Sequence, residues 1–308
     1  MFAELEALVA VAETGSMERA ASDLRLTPSA LTRRIQRLEV ELDVVLLDRH
    51  FKPTKLTQAG FEVLEKSRAI LLSLSDLKAP KSGTTPVGPF RLGLSHALAR
   101  PEISKVIIEL GKQFPLLQPN ICNDISSQLL ARLRLGELDG ALIVLPIETA
   151  LPHDLTGVTL SQEAMQLVQA RTSAQRRPSR SLEFYRRNWV LNPAGCLVRE
   201  EIKSRVERLG ASLMIAAELH NPDLQLSLIA GNVGVGMVQA RFLQTHFLRS
   251  QLSIIEHPNF NLSIRIAFFR GRYLGTRERA ALEFQRILVK HFADAEETPL
   301  RIVTARTS

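Results

Sequence analysis

The stretch from Ser16 to Gln36, SMERAASDLRLTPSALTRRIQ, constrains the fold more than any other part of the chain, because its spacing suits two short helices joined by a tight turn. Ser16 is placed to cap a first helix over 17–24, with Ala20, Ala21 and Leu24 on its buried face. Thr27-Pro28 then restarts the chain. Threonine at N-cap accepts a hydrogen bond from a free backbone N–H, and proline at the first helical position loses nothing, since that N–H has no helical partner. From there Leu31, Ile35, Leu38 and Leu42 recur at helical spacing and form one apolar stripe. At about 100° per residue, the opposite face collects Ser29, Arg33, Gln36 and Arg37, flanked by Thr32 and Arg34. Short hydroxyls at a helix start and guanidiniums further along suit base edges and phosphates, so this face is a candidate recognition helix.

A helical hairpin with an arginine face is, by itself, more often a solvated surface. Its surroundings decide otherwise. Upstream, residues 2–14 carry Phe2, Leu5, Leu8, Val9 and Ala12 at helical spacing, and Gly15 ends that helix. Downstream, residues 43–57 read as two short strands around a basic tip holding Arg49, Lys52 and Lys55. Three helices plus a basic hairpin predict a winged helix-turn-helix. Its candidate contacts to double-stranded DNA are Thr27, Pro28, Ser29, Thr32, Arg33, Arg34, Gln36 and Arg37 on the helix, with Arg49, Lys52 and Lys55 on the wing.

The same region resembles the N-terminal domain of LysR-type transcriptional regulators. The likeness is carried, in order, by AVAETGS, RAA..L, TPSALTRRI..LE.EL, L.DR and LT.AG, the last at Leu56, Thr57, Ala59 and Gly60. Asp43 stands where that family usually has glycine, and Leu47-Asp48-Arg49 replaces the usual Phe-Glu-Arg. Asp43 is therefore expected to make the turn after the recognition helix in left-handed geometry, which aspartate tolerates.

Length and composition bound the rest. With 308 residues, 45% of them hydrophobic, the chain has room for more than one globular domain. No apolar run approaches the ~20 residues that cross a bilayer, and the acidic start MFAELEALVA lacks the basic region of a signal peptide. Two cysteines, Cys122 and Cys196, make neither a disulfide framework nor a metal cluster. A cytoplasmic protein is expected. The net charge of +7 does not itself point to DNA, because residues 1–78 hold 11 Lys/Arg against 12 Asp/Glu, and the excess lies beyond them.

Thr57 is placed to cap a long helix to about Lys78, in which Val63, Ser67, Ile70, Leu74 and Leu77 recur at heptad spacing, with Leu64 and Leu71 alongside. That seam asks for a partner helix, so Val63, Ile70, Leu74 and Leu77 are expected to hold a dimer. Residues 79–89, APKSGTTPVGP, read as a hinge. The expected division is a DNA-binding domain over 1–57, a dimerisation helix over 58–78, the hinge, and a ligand domain over 90–308. Beyond the hinge, strands near 90–94, 120–124, 140–145, 166–169, 189–191, 213–217, 233–238 and 262–269 alternate with helices near 102–114, 128–136, 198–209, 224–230 and 276–292. This alternation predicts parallel sheets covered by helices. The fold class is thus α+β multidomain: a winged helix-turn-helix with a long linker helix, then an α/β domain of two Rossmann-like subdomains. Subdomain I is expected over about 90–162 and 266–308, subdomain II over about 163–265, with crossing strands near 162–170 and 253–266.

This part is similar to the LysR-type effector domain, which shares its fold with type 2 periplasmic solute-binding proteins. RLGLS at 91–95, QFP at 113–115, LLARLRLGELDGALIVLP at 129–146 and LIAGNVGVGMV at 228–238 carry the likeness, and Gln239 sits where proline is common. In open parallel sheets ligands bind at the carboxyl ends of strands, near helix N-termini. The corners here are Ser95-His96, Ser126-Ser127, 192–196 with Gly195 and Cys196, and 221–223 with Pro222 and Asp223; Leu145 and Pro146 would line a wall. Each serine can equally be a plain helix cap. Serines and helix dipoles together favour an anionic effector. The arginine run Arg171, Arg176, Arg177, Arg180, Arg186 and Arg187 reads as a solvated cluster. No nucleophile–base pair, metal-ligand spacing or phosphate loop is present, so neither catalysis nor a cofactor is expected. The resemblance implies a ligand-responsive transcription factor, paired through the linker helices and joined into tetramers by the effector domains, with RNA polymerase as a further candidate partner. The rival reading is a solute-binding module with a non-regulatory N-terminal appendage.

Overall fold

Helix capping and burial build the N-terminal domain along the expected lines. The computed structural model describes residues 1–48, 50–51, 53–78, 85–173 and 186–296; Arg49 and Lys52 of the wing, hinge residues 79–84, and Arg176, Arg177 and Arg180 lie outside these. Helix α1 (Phe2–Thr14) stops at Gly15, whose φ of 61° is left-handed. Helix α2 (Met17–Asp23) starts on Ser16, whose hydroxyl accepts from the Arg19 N–H, and Leu24 forms its C-cap rather than its last turn. Helix α3 (Pro28–Leu42) starts on Thr27, which accepts from the Ala30 N–H.

The buried stripe of α3 is Leu31, Ile35 and Leu38, packed with Leu5, Leu8, Ala20 and Ala21. Leu42, expected on that stripe, is 38% exposed instead. It is the last residue of α3, and Asp43 turns the chain away at φ 53°, the left-handed conformation expected of it. Glu39 then fixes the exit: its carboxylate accepts from the N–H groups of Leu46 (2.9 Å) and Leu47 (3.2 Å). Strands β1 (Leu47–Asp48) and β2 (Lys55–Leu56) pair antiparallel as the wing.

Helix α4 (Gln58–Lys78) follows. Thr57 donates to the Val45 carbonyl (2.7 Å) and accepts from the Gly60 N–H (2.9 Å). A Cβ at Gly60 would lie 2.2 Å from the Leu46 carbonyl oxygen, so only glycine lets α4 approach there.

The C-terminal domain opens with β3 (Gly88–Ser95), α5 (Pro101–Gln113), β4 (Leu117–Asp124), α6 (Ser126–Arg134) and β5 (Gly140–Pro146). The long strand β6 (Thr156–Ala170) leads to β7 (Asn188–Leu191), α7 (Leu197–Arg208), β8 (Met214–Glu218), α8 (Pro222–Ala230), β9 (Gly236–Gln239) and α9 (Ala240–Thr245). Last come β10 (Leu252–Ile255), β11 (Leu262–Arg270) and α10 (Glu278–Glu296).

The expectation of two parallel sheets needs correcting. Strands β3, β4 and β5 are parallel, but β11 pairs antiparallel with both β5 and β6, and β9 and β10 pair antiparallel with β6. One mixed seven-stranded sheet therefore runs through both lobes, beside a separate parallel pair β7–β8. The strands shared by the lobes are β6 and β11. The first begins at Thr156, earlier than expected; the second begins only at Leu262, because β10 and a 3₁₀ turn at Pro258–Phe260 occupy the preceding residues. Phe90, Phe268 and Phe284 centre the first lobe's core, Trp189 and Phe260 the second's.

Candidate functional site

Two features are candidates for function: an exposed helix face on the N-terminal domain and a cleft between the lobes. On α3, Ser29, Arg33, Gln36 and Arg37 are exposed, and Thr32 and Arg34 are half-buried at the edges of that face. Thr32 donates its hydroxyl proton to the Pro28 carbonyl (2.9 Å). Thr27 and Ser29 hydroxyls lie 3.1 Å apart at the N-terminus, where free N–H groups and the helix dipole attract phosphate. On the wing, Lys55 is exposed and sits 4.6 Å from the centroid of the Phe51 ring. Eight of the expected contacts lie on α3 or its N-cap and Lys55 lies on the wing; Arg49 and Lys52 lie outside the described residues.

The cleft forms where β3, α6, α7, α8 and α9 meet. Ser95, His96, Ser126, Cys196 and Pro222 line it, as the corner reading places them. Five other expected residues sit elsewhere. Side chains alternate along a strand; Val144 faces the cleft, so Leu145 faces away into the core with Leu129 and Leu155. Pro146 ends β5 beyond the lining. Ser127 donates to the Gly195 carbonyl (3.1 Å), which uses both residues to tie α6 to the second lobe. Asp223 holds the His246 ring at 3.0 Å. Ser126 has a structural bond too, accepting from the Val144 N–H (3.1 Å).

A further charged group of the cleft, Arg100, lies outside the expected corners. Arg100, the N-cap of α5, has its guanidinium 4.3 Å from the centroid of the Phe242 ring and donates through Nη2 to the Gln239 side-chain oxygen. Its Nε and the Gln239 Nε2 are buried with no hydrogen-bond partner. Burial lowers the Arg100 pKa, against the opposing pull of Glu163, Glu102 and Asp223. His96 and His220 stack across the cleft with ring centroids 3.9 Å apart, and burial, then His220, pushes the His96 value down against Asp124. Arg199 is committed to Glu218 (2.8 Å) and the Asn192 carbonyl (3.1 Å). The sequence signal for Arg100 was its place directly before Pro101, at a strand-to-helix corner; for Gln239, its place where proline is common. Phe242 lies on α9, a six-residue helix that periodicity did not resolve.

Burial raises the Cys196 pKa, opposite to what a thiolate needs. Cys122 accepts from Arg132 at 3.2 Å and packs beside α6. Among the described residues no cluster of His, Cys, Asp and Glu is placed to hold a metal ion, and no helix is long and apolar enough to cross a membrane.

The expected α4 seam divides in two. Val63 packs on the N-terminal core together with Leu64 and Leu71, whereas Ile70 and Leu77 are 44% and 80% exposed. The winged domain covers Val63, Leu64 and Leu71 and leaves Ile70 and Leu77 open.

A winged helix-turn-helix with an arginine-bearing face, linked to a two-lobed domain with an interlobe cleft, defines a DNA-binding protein with a ligand domain. Residues 2–61 match the family described as "Bacterial regulatory helix-turn-helix protein, lysR family" and residues 83–292 match "LysR substrate binding domain". The chain belongs to the LysR family and is a DNA-binding transcriptional regulator, not an enzyme. It is 26% identical over 266 residues to the HTH-type transcriptional regulator YofA of Bacillus velezensis, covering 86% of this chain and 90% of that one. It is 34% identical over 148 residues to the DNA-binding transcriptional dual regulator OxyR of Escherichia coli, covering 47% and 48%. The crystal structure of ArgP from Mycobacterium tuberculosis has the same fold, with a TM-score of 0.72, 18% identity, and coverage of 93% and 96%.

Proposed function

We propose that this regulator binds a small anion in the interlobe cleft and, as a dimer, reads a pseudo-palindromic DNA site with α3 and the wing. Dimers pair through Ile70, Leu74 and Leu77 of α4, with tetramers formed by the effector domains. In the cytoplasm, bound dimers would act on RNA polymerase. The DNA contacts are those of α3 from Thr27 to Arg37 with Arg49, Lys52 and Lys55. The effector contacts are Ser95, His96, Ser126, Cys196 and Pro222, joined by Arg100.

One observation carries the anionic reading: a guanidinium buried in the cleft has an Nε–H without a partner, beside a Gln239 amide in the same condition. A buried donor left unpaired costs about 1–3 kcal/mol, which an accepting ligand recovers. A thermal-shift screen of the full chain against carboxylates, phosphates and neutral metabolites tests it. Hits are expected among anions and are expected to vanish in Arg100→Gln. Hits confined to neutral or cationic compounds would overturn the reading.

A further inference from the structure

The cleft's lining carries information about its ligand beyond the sign of the charge. We infer that the effector is an apolar carboxylic acid without an amino group: one carboxylate on a hydrocarbon body. This rests on the anionic reading above and narrows it.

The first argument is charge. Among the described residues no Asp or Glu lines the cleft. A ligand ammonium would be taken from water into a site offering no anion, a large penalty for a buried charge. Glu163, Glu102 and Asp223 influence Arg100, but none of them is in the lining. The same count limits the negative charge. Of the two lining arginines, Arg199 is held by Glu218, and burial keeps His96 toward its neutral form. Among the described residues Arg100 is then the lining arginine that no carboxylate holds, which matches a single carboxylate.

The second argument is donor geometry. The Gln239 side-chain oxygen faces the Arg100 guanidinium, so its Nε2 is turned the other way, and Gln239 is only 5% exposed. Arg100 Nε–H and Gln239 Nε2–H are two buried donors of the cleft lining with no hydrogen-bond partner. Two unpaired donors suit the two oxygens of a carboxylate.

The third argument is the wall. Met165, Val198, Ile202, Met237, Phe242 and Ile264 contribute apolar surface to the cleft. A polyhydroxylated or strongly polar body would leave its own groups unpaired against them, whereas a hydrocarbon body gains from burial.

Matched pairs test this by isothermal titration calorimetry on the full chain: hydrocinnamate against phenylalanine, isocaproate against leucine, with hydrocinnamamide, succinate and inorganic phosphate alongside. Expected is binding of at least one amine-free acid, with its amino-acid partner weaker by roughly tenfold or more and the amide silent. Arg100→Gln should abolish binding of the acid. Gln239→Glu, nearly isosteric, should also abolish it by placing a carboxylate on the guanidinium; unchanged thermal unfolding shows that either variant still folds. Equal or tighter binding of the amino acids would overturn the inference while leaving the anionic reading standing. Binding of succinate or phosphate with neither apolar acid would do the same. Binding of the amide alone would remove both, and failure of every compound to bind would overturn the inference.

Discussion

Gly60 shows how one residue sets the join between two elements. Its missing side chain lets the Leu46 carbonyl approach to where a Cβ would sit at 2.2 Å, with backbone rather than a flexible side chain as the obstacle. Gly60→Ala should therefore destabilise the protein by about 1–3 kcal/mol, read as a lower midpoint in urea unfolding; an unchanged midpoint would contradict the packing. His96 makes a second residue-scale prediction. Burial holds its folded pKa below the usual 6.5, so the unfolded chain takes up protons first as the pH falls. Its contribution to stability is complete above that value and is lost as the pH drops toward the folded one. Thermal unfolding midpoints should fall on acidification through this window, and His96→Gln should flatten the slope. A midpoint that rises on acidification, or a slope the variant leaves intact, would contradict this. Capping residues were fully legible at this scale, because Ser16, Thr27 and Thr57 act on N–H groups three residues away. Arg100 was not legible. Its role depends on Phe242 and Gln239, some 140 positions along the chain, and on the loss of solvent around it.

At the scale of elements, α4 carries two jobs that heptad spacing alone did not separate. Spacing reports which residues share a stripe; it does not report that the chain's own winged domain covers Val63 while Ile70 and Leu77 stay open. Replacing Ile70 and Leu74 by Glu should place like charges against each other in the paired helices, and sedimentation should report dissociation or loss of DNA binding. Unchanged assembly together with unchanged DNA affinity would remove α4 from dimerisation. Helix α3 was legible to its last residue because Thr27, Pro28 and Asp43 mark both ends chemically. The strands of the second domain were located but not oriented. Apolar runs such as GALIVLP reveal a buried strand, whereas its antiparallel partner β11 lies more than a hundred residues away and leaves no local trace.

Over the whole molecule, α4 also joins the domains. Arg68, 5% exposed, donates to the Leu135 carbonyl (2.7 Å) at the C-cap of α6 and lies 3.4 Å from Glu137 and 3.6 Å from Glu13 of α1. Arg272 pairs with Glu65 at 2.7 Å. Because α6 begins at Ser126 in the cleft, it spans from the ligand site to the linker helix. Arg68→Ala should lower the unfolding temperature and split calorimetric unfolding into separate domain transitions; one unshifted transition would contradict the coupling.

The central claim, that α3 reads sequence while the wing holds the backbone, is tested most directly by fluorescence anisotropy. The full chain is titrated into DNA from immediately upstream of its own gene and into a scrambled duplex of equal composition, at several salt concentrations. Arg33→Ala should lose about 1–3 kcal/mol of discrimination between the two duplexes. Lys55→Ala should weaken both alike and reduce the salt slope by about one. Equal weakening of both duplexes by Arg33→Ala, or a wild-type protein that binds the two duplexes alike, would contradict the claim.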